Sequence, residues 1–581
     1  MFFNINICER GFKMKSVKQI FFFTLLVMVI NILNPGVSWA LMTDKKHGKW
    51  NLIGKFKPQV TFRTEGVPPN NPIPIKAGDI TSQRNLLMLE FKHNLGDVLS
   101  DLQVEYYLQG RAFYDSAWDY GPDVLSDDET RREYCFDNRH QIDDLKWDAD
   151  LFMAYVDLTS GPSFTRIGRQ VMAWGEMSTI RILDGTNPMD TSSLAVDLTE
   201  RLIPLWMVRS NLAFDYVGPF DSISLEAYYI PGKIDDTNGE DMIDGSPIIP
   251  NVGRDLKKDL EDPMSLASLK QIMNMVDDDI DSDRYGIKLG LMFKGLDLNF
   301  AYYRMYSDVP VPRINADALS PIIIDPDNID MNDPLGSALG GQKLEVVLDV
   351  DEVDVFGASF NYHWDLIDTV IRGEAAIYKD VPKMPPGSIN AVIAAFAPKV
   401  TIQGMGSIDE LIKLFPLGDI EKMILPFTAG DIPKYDVWKY GIGFDKWAKI
   451  PFLNTEDFMF TFEYVGSKIM DYKKKAIMSP WQAPWDDDRD GQYDTVWEPE
   501  YSNTFVFITN TYYFSGNLTP QLVAMYEVEP KALVLIPSLE YDWRNLQFEL
   551  SYFCTESDEY EGTLGMLESR DEVTFSITYN F

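Results

Sequence analysis

The chain is 581 residues long and strongly acidic, with 89 Asp and Glu against 52 Lys and Arg and a formal net charge of -37. That balance is the reverse of what nucleic-acid binding needs. Apolar residues make up a moderate 45% and aromatics 13%, which a membrane barrel explains, since only alternate residues of each strand face lipid and Trp and Tyr gather at both interfaces.

The first element is a leader. Lys13, Lys15 and Lys18 precede an apolar run from Ile20 to Leu33, then Asn34-Pro35-Gly36 and the small-residue site Ser38-Trp39-Ala40. This pattern predicts a secretory signal peptide over residues 1–40, with Met14 as an alternative initiator. A retained membrane helix needs about 20 residues, and this run is shorter. The apolar stretch Ile389 to Ala397 is also too short and stops at Pro398-Lys399. A mature chain embedded in a membrane must therefore be a closed sheet, the other way to satisfy backbone groups in hydrocarbon.

From Trp50 the order Trp50, Leu52, Gly54, Phe56, Pro58, Val60, Phe62 predicts a first strand. After a Pro-rich loop at Pro68 to Pro74, Leu87, Leu89 and Phe91 alternate, turn at Asn94-Leu95-Gly96, and resume at Leu102, Val104, Tyr106 and Leu108. That is a hairpin signature. A long acidic loop, Asp115 to Asp148, leads to a strand near Leu151. The grammar repeats at Leu212–Tyr216 and Ile223–Tyr229, at Tyr285–Phe293 and Leu296–Tyr302, and through Phe356–Tyr362, Ile371–Ile377 and Phe458–Tyr464. Four further strands follow from Val506 to Cys554. Short turns alternate with long polar loops, as in outer-membrane barrels.

The loops Asp236 to Asp281 and Asp308 to Leu344 are too long for a compact soluble fold without special purpose. Part of Leu266 to Met275 reads as a short amphipathic helix. The largest insertion, residues 389–432, reads as partly helical. Its Ser407 and Glu410 form a capping box for a helix from Ile408 to Phe415, and Ile420 to Leu425 adds another turn or two. It is expected as a lumenal plug, an outer lid or a surface excursion. Cys135 lies in a polar loop and Cys554 shares the phase of Phe548, Leu550 and Tyr552, so two unpaired thiols are expected. His47, His93, His140 and His363 are scattered without metal-site spacing, and no cofactor is implied.

The chain ends in Val573, Phe575, Ile577, Tyr579 and Phe581, with Thr574, Ser576, Thr578 and Asn580 between them. One greasy and one small polar face suit a wall between lipid and a wet lumen. The whole reads as all-β: a single antiparallel transmembrane β-barrel domain over residues 41–581, porin-like, with about 14 to 18 strands.

The stretch Arg166-Ile167-Gly168-Arg169-Gln170-Val171-Met172-Ala173-Trp174-Gly175-Glu176, followed by Asp184-Gly185-Thr186-Asn187-Pro188-Met189-Asp190, resembles the hallmark of a family of Gram-negative outer-membrane proteins named as a domain of unknown function, DUF1302. Arg372-Gly373-Glu374-Ala375-Ala376 and Thr578-Tyr579-Asn580-Phe581 also resemble that family. The resemblance implies a porin-like barrel. It also implies a place beside an inner-membrane exporter of the resistance-nodulation-division type, hence transport of lipid or hydrophobic compounds.

In a regular strand Arg166, Gly168 and Gln170 share one face and Ile167, Arg169 and Val171 the other. An Arg on the lipid face at mid-membrane costs roughly 2 to 4 kcal/mol. Either a bulge or strand end around Gly168 turns both arginines inward, or Arg169 lies near a rim. Inward arginines need partners, and Glu176, Asp184 and Asp190 are nearest in sequence. Two arrangements fit. One is a constriction with a transverse field; the other is a salt-bridge network bracing the interior or an inward loop. Arg372 and Glu374, on one strand face, can join either, with Arg201 and Arg209 as weaker candidates.

The function expected is an outer-membrane channel or conduit for small or hydrophobic solutes. Its partners would be membrane lipid and lipopolysaccharide, the barrel assembly machinery and an inner-membrane exporter. A plugged docking barrel is the alternative. A barrel enzyme through His363 and Asp365 has no local motif behind it, so catalysis is not expected.

Overall fold

The computed structural model describes residues 50–65, 75–99, 101–127, 146–189, 198–232, 273–277, 282–307, 311–318, 320, 322–324, 344–388, 400–402, 424–425, 428–478, 497–529, 531–557, 562–565, 567–568 and 570–581. Residues 1–40, read as a signal peptide, Asp190, Cys135 and most of the 389–432 insertion lie outside them.

Counting only the strands of the barrel, β1 spans Trp50–Arg63. Eight hairpins follow: β2 (Ile80–Leu99) with β3 (Leu102–Asp115), β4 (Trp147–Ser160) with β5 (Ser163–Gln170), β6 (Leu205–Val217) with β7 (Phe220–Ile230), and β8 (Arg284–Phe293) with β9 (Leu296–Tyr306). Next are β10 (Glu352–Trp364) with β11 (Thr369–Pro382), β12 (Lys434–Lys449) with β13 (Asp457–Ile469), β14 (Tyr501–Asn510) with β15 (Leu518–Glu527), and β16 (Ala532–Trp543) with β17 (Leu546–Ser557). The last strand, β18, spans Glu572–Asn580.

Every strand is antiparallel to the next, and β18 returns to β1, from Asn580↔Lys55 to Glu572↔Arg63. The 18-stranded sheet is thus closed, at the top of the expected range. The hairpins turn on one rim, six of them tightly and two through the longer connections 450–456 and 511–517. Lys294-Gly295 takes positive φ at both residues, 51° and 79°, the turn whose twist matches a two-stranded ribbon. The opposite rim carries the long connections, 528–531 being the short exception.

Period-2 alternation decides the two faces. Phe300, Phe356, Phe462 and Leu550 stand exposed on the outside, whereas Gln59, Thr61, Ser576 and Thr578 are buried on the inside. Across the seam the Thr61 and Thr574 hydroxyls are 3.0 Å apart. The terminal pattern behaves as expected, with Phe575 out and Ser576 in.

Two local expectations change. Met273–Asp277, which overlaps the end of the stretch read as partly helical, is a strand parallel to Leu344–Asp349. Ile424–Leu425, read as helical turn, pairs antiparallel with Gly387–Ser388. β-branched and apolar residues beside an open strand edge gain more from pairing than from an isolated turn. The insertion also contributes Val400–Ile402, which pairs with Ile322–Ile324. These described pieces knit long connections to one another.

Candidate functional site

β5 ends at Gln170, and the chain then leaves the wall and crosses into the lumen before returning at Leu205. A departing chain carries backbone N–H groups that need acceptors away from water. The wall supplies them as carboxylates. Glu374 of β11 accepts from the N–H groups of Glu176, Met177 (2.8 Å) and Leu183 (3.2 Å). Glu463 of β13 accepts from Ser178 N–H at 2.8 Å, and Glu226 of β7 accepts from the Trp174 indole at 2.7 Å.

Arg372, two residues before Glu374 on the same face, ties the wall together. Its Nε lies 2.7 Å from Asp445 Oδ2, and its Nη2 donates to Asp445 and Glu463 at 3.0 Å each. The Nη1 donates to the Glu176 carbonyl and, at 3.2 Å, to Ser178 Oγ. One buried cation thus serves two wall carboxylates while the loop's N–H dipoles serve the third. This is how several acidic groups stay buried together.

Apolar packing adds to the pinning. Met172, Trp174, Met177, Ile182 and Leu183 form one cluster with Tyr303, Val355, Val465 and other lumen-side residues of β6 to β13. Trp174 packs edge-on against Tyr228 and Tyr303, with ring centroids 5.2 and 5.9 Å away. Each such side chain removed from water contributes about 1.5–3 kcal/mol. The loop folds its own ends together as well: Asp184 accepts from the N–H groups of Trp174 and Gly175 (2.6 Å). Arg181 donates to the carbonyls of Asp184 (3.0 Å) and Asn187 (2.6 Å). At the far end Glu200 reaches Lys55 at 2.9 Å, and its carbonyl accepts from Arg111 at 3.2 Å. The segment therefore touches the wall from β1 to β13.

Each residue expected from sequence has a place except Asp190, which lies outside the described residues. Glu176, Asp184, Arg372 and Glu374 converge on the lumen loop. Arg166 faces inward but lies apart from it, bidentate on Asp157 at 2.7 and 2.8 Å, with its guanidinium 3.7 Å over the Tyr155 ring. The pairing through Gly168 carries no register shift, so no bulge turns both arginines inward. Arg169 shares the outer phase of Ile167, which is 45% exposed, and sits one residue before the end of β5, short of the end of the neighbouring β4. Arg209 pairs with Glu226 at 2.7 Å. Arg201 closes the short helix Leu198–Arg201.

The fully buried Gln170 donates to the carbonyls of Gly168 (3.3 Å) and Met207 (3.2 Å). Asn187 accepts from Met172 N–H at 2.8 Å and donates to Ile203 O at 2.9 Å. These two amides replace the ladder where the chain leaves it. Sequence reasoning missed Glu226, Asp445, Glu463 and Asn187. The signal was there for three of them, a lone carboxylate at an inward position of an otherwise small or apolar strand face.

Burial pushes the Glu176 carboxyl above its ordinary range; Asp297 adds to the rise, while Asn361, Arg372 and Lys288 oppose it. His363 stands on the short-turn rim, 3.0 Å from Asp365 and 3.2 Å from Asp368, on the opposite side of the barrel from the long connections. Among the described residues no group of His, Cys, Asp and Glu could hold a metal ion.

The model of a family described as "Protein of unknown function (DUF1302)" matches residues 22–581. Similar solved structures include the Acinetobacter baumannii proteins OccAB2 (10% identity, 92% of this chain and 98% of that chain, TM-score 0.42) and OccAB4 (8% identity, 93% and 100%, TM-score 0.42). A Salmonella typhi OmpF complex with daunomycin is also similar (11% identity, 92% and 97%, TM-score 0.35). No curated protein matches the chain.

Proposed function

Because the chain belongs to the DUF1302 family and closes into a barrel with an apolar outside and a charged inside, we propose that it is an outer-membrane channel narrowed by its own lumenal segment 171–189. A closed sheet with exposed Phe, Leu and Trp around its wall belongs in hydrocarbon. Membrane lipid and lipopolysaccharide are its surroundings, and the barrel assembly machinery its route there after removal of residues 1–40.

The observation that carries the channel reading is the set of wall carboxylates on the loop's N–H groups. They fix a constriction against one side of the lumen, opposite the polar faces of β15 to β18. Charges of both signs line the lumen beside it, Arg166 and Arg209 on the wall strands β5 and β6 and Glu176 on the loop toward β11, and give a transverse field that orients polar solutes. An exporter of the resistance-nodulation-division type would meet the short-turn rim.

The test is conductance of the refolded protein in a planar bilayer, with selectivity taken from the reversal potential. Discrete cation-preferring steps are expected. Glu374→Leu strips three N–H groups of their acceptor and is expected to raise the conductance severalfold. Silence from both proteins, each shown folded by heat-modifiable migration, overturns the channel and favours a plugged docking barrel. The burial of Ile182 and Leu183, each 1% exposed, is the observation behind that second reading.

A further inference from the structure

β5 has eight residues, fewer than the about 9–11 a tilted strand needs to cross a bilayer. Its pairing with β4 runs from Ser160↔Ser163 only to Ala154↔Arg169, and its pairing with β6 ends at Gln170↔Leu205. β4 continues beyond that point, paired with β3 alone from Leu151 to Trp147. Among the described residues, Asp148 to Met153 therefore show one strand edge with no backbone ladder, on the half of the wall nearest the long connections. The outer faces beside this notch are apolar. Leu151 and Trp206 are exposed there, and Leu151 pairs with Gly110, and Ala149 with Ala112, on the neighbouring strand. The gap thus lies within the lipid-facing belt, where open edges are costly.

Backbone lines one side of the notch, where Met189 bridges Leu202 and the Ile203 N–H donates to the Pro188 carbonyl at 2.9 Å, and side chains span the rest. Arg169 donates to the Leu151 carbonyl at 2.8 Å and to the Pro204 carbonyl at 3.2 Å, joining its two sides. Asp150 stands between Arg169, 3.5 Å away on the outer side, and Arg111, 3.5 Å away on the lumen side. Both ion pairs are loose beside the 2.7 Å pair of Arg166 with Asp157. The buried Asp150 Oδ1 and Arg111 Nε each lack a hydrogen-bond partner. A bulge at the same level makes Phe152 the extra residue of β4 and places it 4.1 Å beneath the Arg111 guanidinium.

We propose that this notch is a lateral portal through which a single-chain amphiphile with an anionic head passes between the lumen and the outer leaflet. Its head displaces Asp150 from Arg169 and then from Arg111. Its chain slides along Leu151, Trp206 and Phe152. Lys55 and Lys57, on the lumen wall with Glu200, extend the cationic path inward. The portal goes beyond the channel reading, because it specifies a second opening and a class of solute for it.

The test uses the full mature chain in liposomes, in a background carrying Cys135→Ser and Cys554→Ser. Ala173→Cys, at the exposed residue just past the strand end, is offered a maleimide carried on a phospholipid acyl chain. Leu550→Cys on the outer face and Ser538→Cys on the lumen wall of β16 are the controls. The portal predicts labelling of Ala173→Cys about tenfold faster than Ser538→Cys, since an unbroken ladder bars lipid. Labelling as slow as Ser538→Cys, with a water-soluble maleimide still reacting, overturns it.

Transfer of an anthroyloxy fatty acid from bilayer to lumen is then compared for Arg169→Gln and Arg169→Lys. A loss of about tenfold with Gln and partial recovery with Lys is expected for a charge-assisted contact. No change with Gln overturns the anionic-head assignment. Sugar-driven liposome swelling reports the main channel separately, so failure of the portal and failure of the channel are distinguishable.

Discussion

The lumen wall from β6 to β13 is lined like a protein interior, with Tyr303, Val355 and Glu463 at 0% exposure. The middle of the wall from β15 to β17 carries Gln521, Ser538, Glu549 and Ser551, none of them buried. One sheet thus builds both surfaces from the same alternation. The difference lies in what each inner face meets: a pinned loop on one side, the open lumen on the other. A buried carboxylate beside the loop is held by N–H groups and one arginine, whereas a carboxylate on the far wall has water. The same residue type should therefore carry unequal weight on the two arcs.

Arg372→Met is the hardest blow to that contrast. It leaves Asp445 and Glu463 buried without their cation, and removing one partner of a buried pair costs about 3–5 kcal/mol. A matching fall in urea midpoint is expected, with higher conductance in whatever fraction folds; an unchanged midpoint would make the two arcs equivalent.

Gly168→Val comes next. Gly168 has φ 137°, and a side chain there would run into the Ala154 carbonyl. Strain of about 1–3 kcal/mol should appear as faster hydrogen exchange in β4 and β5, with β16 and β17 unaffected.

Acidity sharpens the comparison. The raised Glu176 carboxyl means that the seated loop favours the neutral acid. That contribution is complete below the unfolded-state value and is lost as pH rises through the folded one. Conductance should therefore fall on acidification just above the ordinary carboxylate range, and Glu176→Gln should flatten this dependence. A titration identical in wild type and variant would assign it elsewhere.

Glu549→Gln on the far wall is the smallest change. Glu549 accepts only the Ser576 hydroxyl at 3.2 Å among its described side-chain contacts. Stability should move by less than about 0.5 kcal/mol, with a slight loss of cation preference in the reversal potential.

The alternation was legible wherever both faces had distinct chemistry, as in β9, β14 and β18. It was lost in β12, where Lys439, Gly441, Gly443 and Asp445 face inward and aromatics and lysines mix outside. Gly441 is small because Ile182 and Met177 of the lumen loop lie against it, a demand set by a segment more than two hundred residues away. The motif from Arg166 to Asp184 located the site, since the chain must change course there. Its partners could not be found by proximity in sequence. Asp184 binds within the loop, but Glu226, Glu374 and Glu463 come from three different strands. The carboxylates of Glu176 and Asp184, the acidic neighbours expected to answer the arginines, bind Asn361 and loop N–H groups instead. Arg372 is answered by Asp445 and Glu463, while Arg166 is answered across the hairpin by Asp157.

Gly54 and Phe581 exchange backbone hydrogen bonds of 2.8 and 2.9 Å, and the Phe581 ring occupies the space a side chain at position 54 would fill. These two residues stand at opposite ends of the described chain. The contact is therefore the least local in the molecule, and its loop-closure entropy is met only once. Pairings of such span form slowly, so closure of the β1–β18 seam should be the rate-limiting event in refolding. Until then two strand edges remain open to other chains. A bulkier residue at position 54 should lengthen that exposed interval, and the harm would appear as aggregation during assembly while the finished barrel stays nearly as stable.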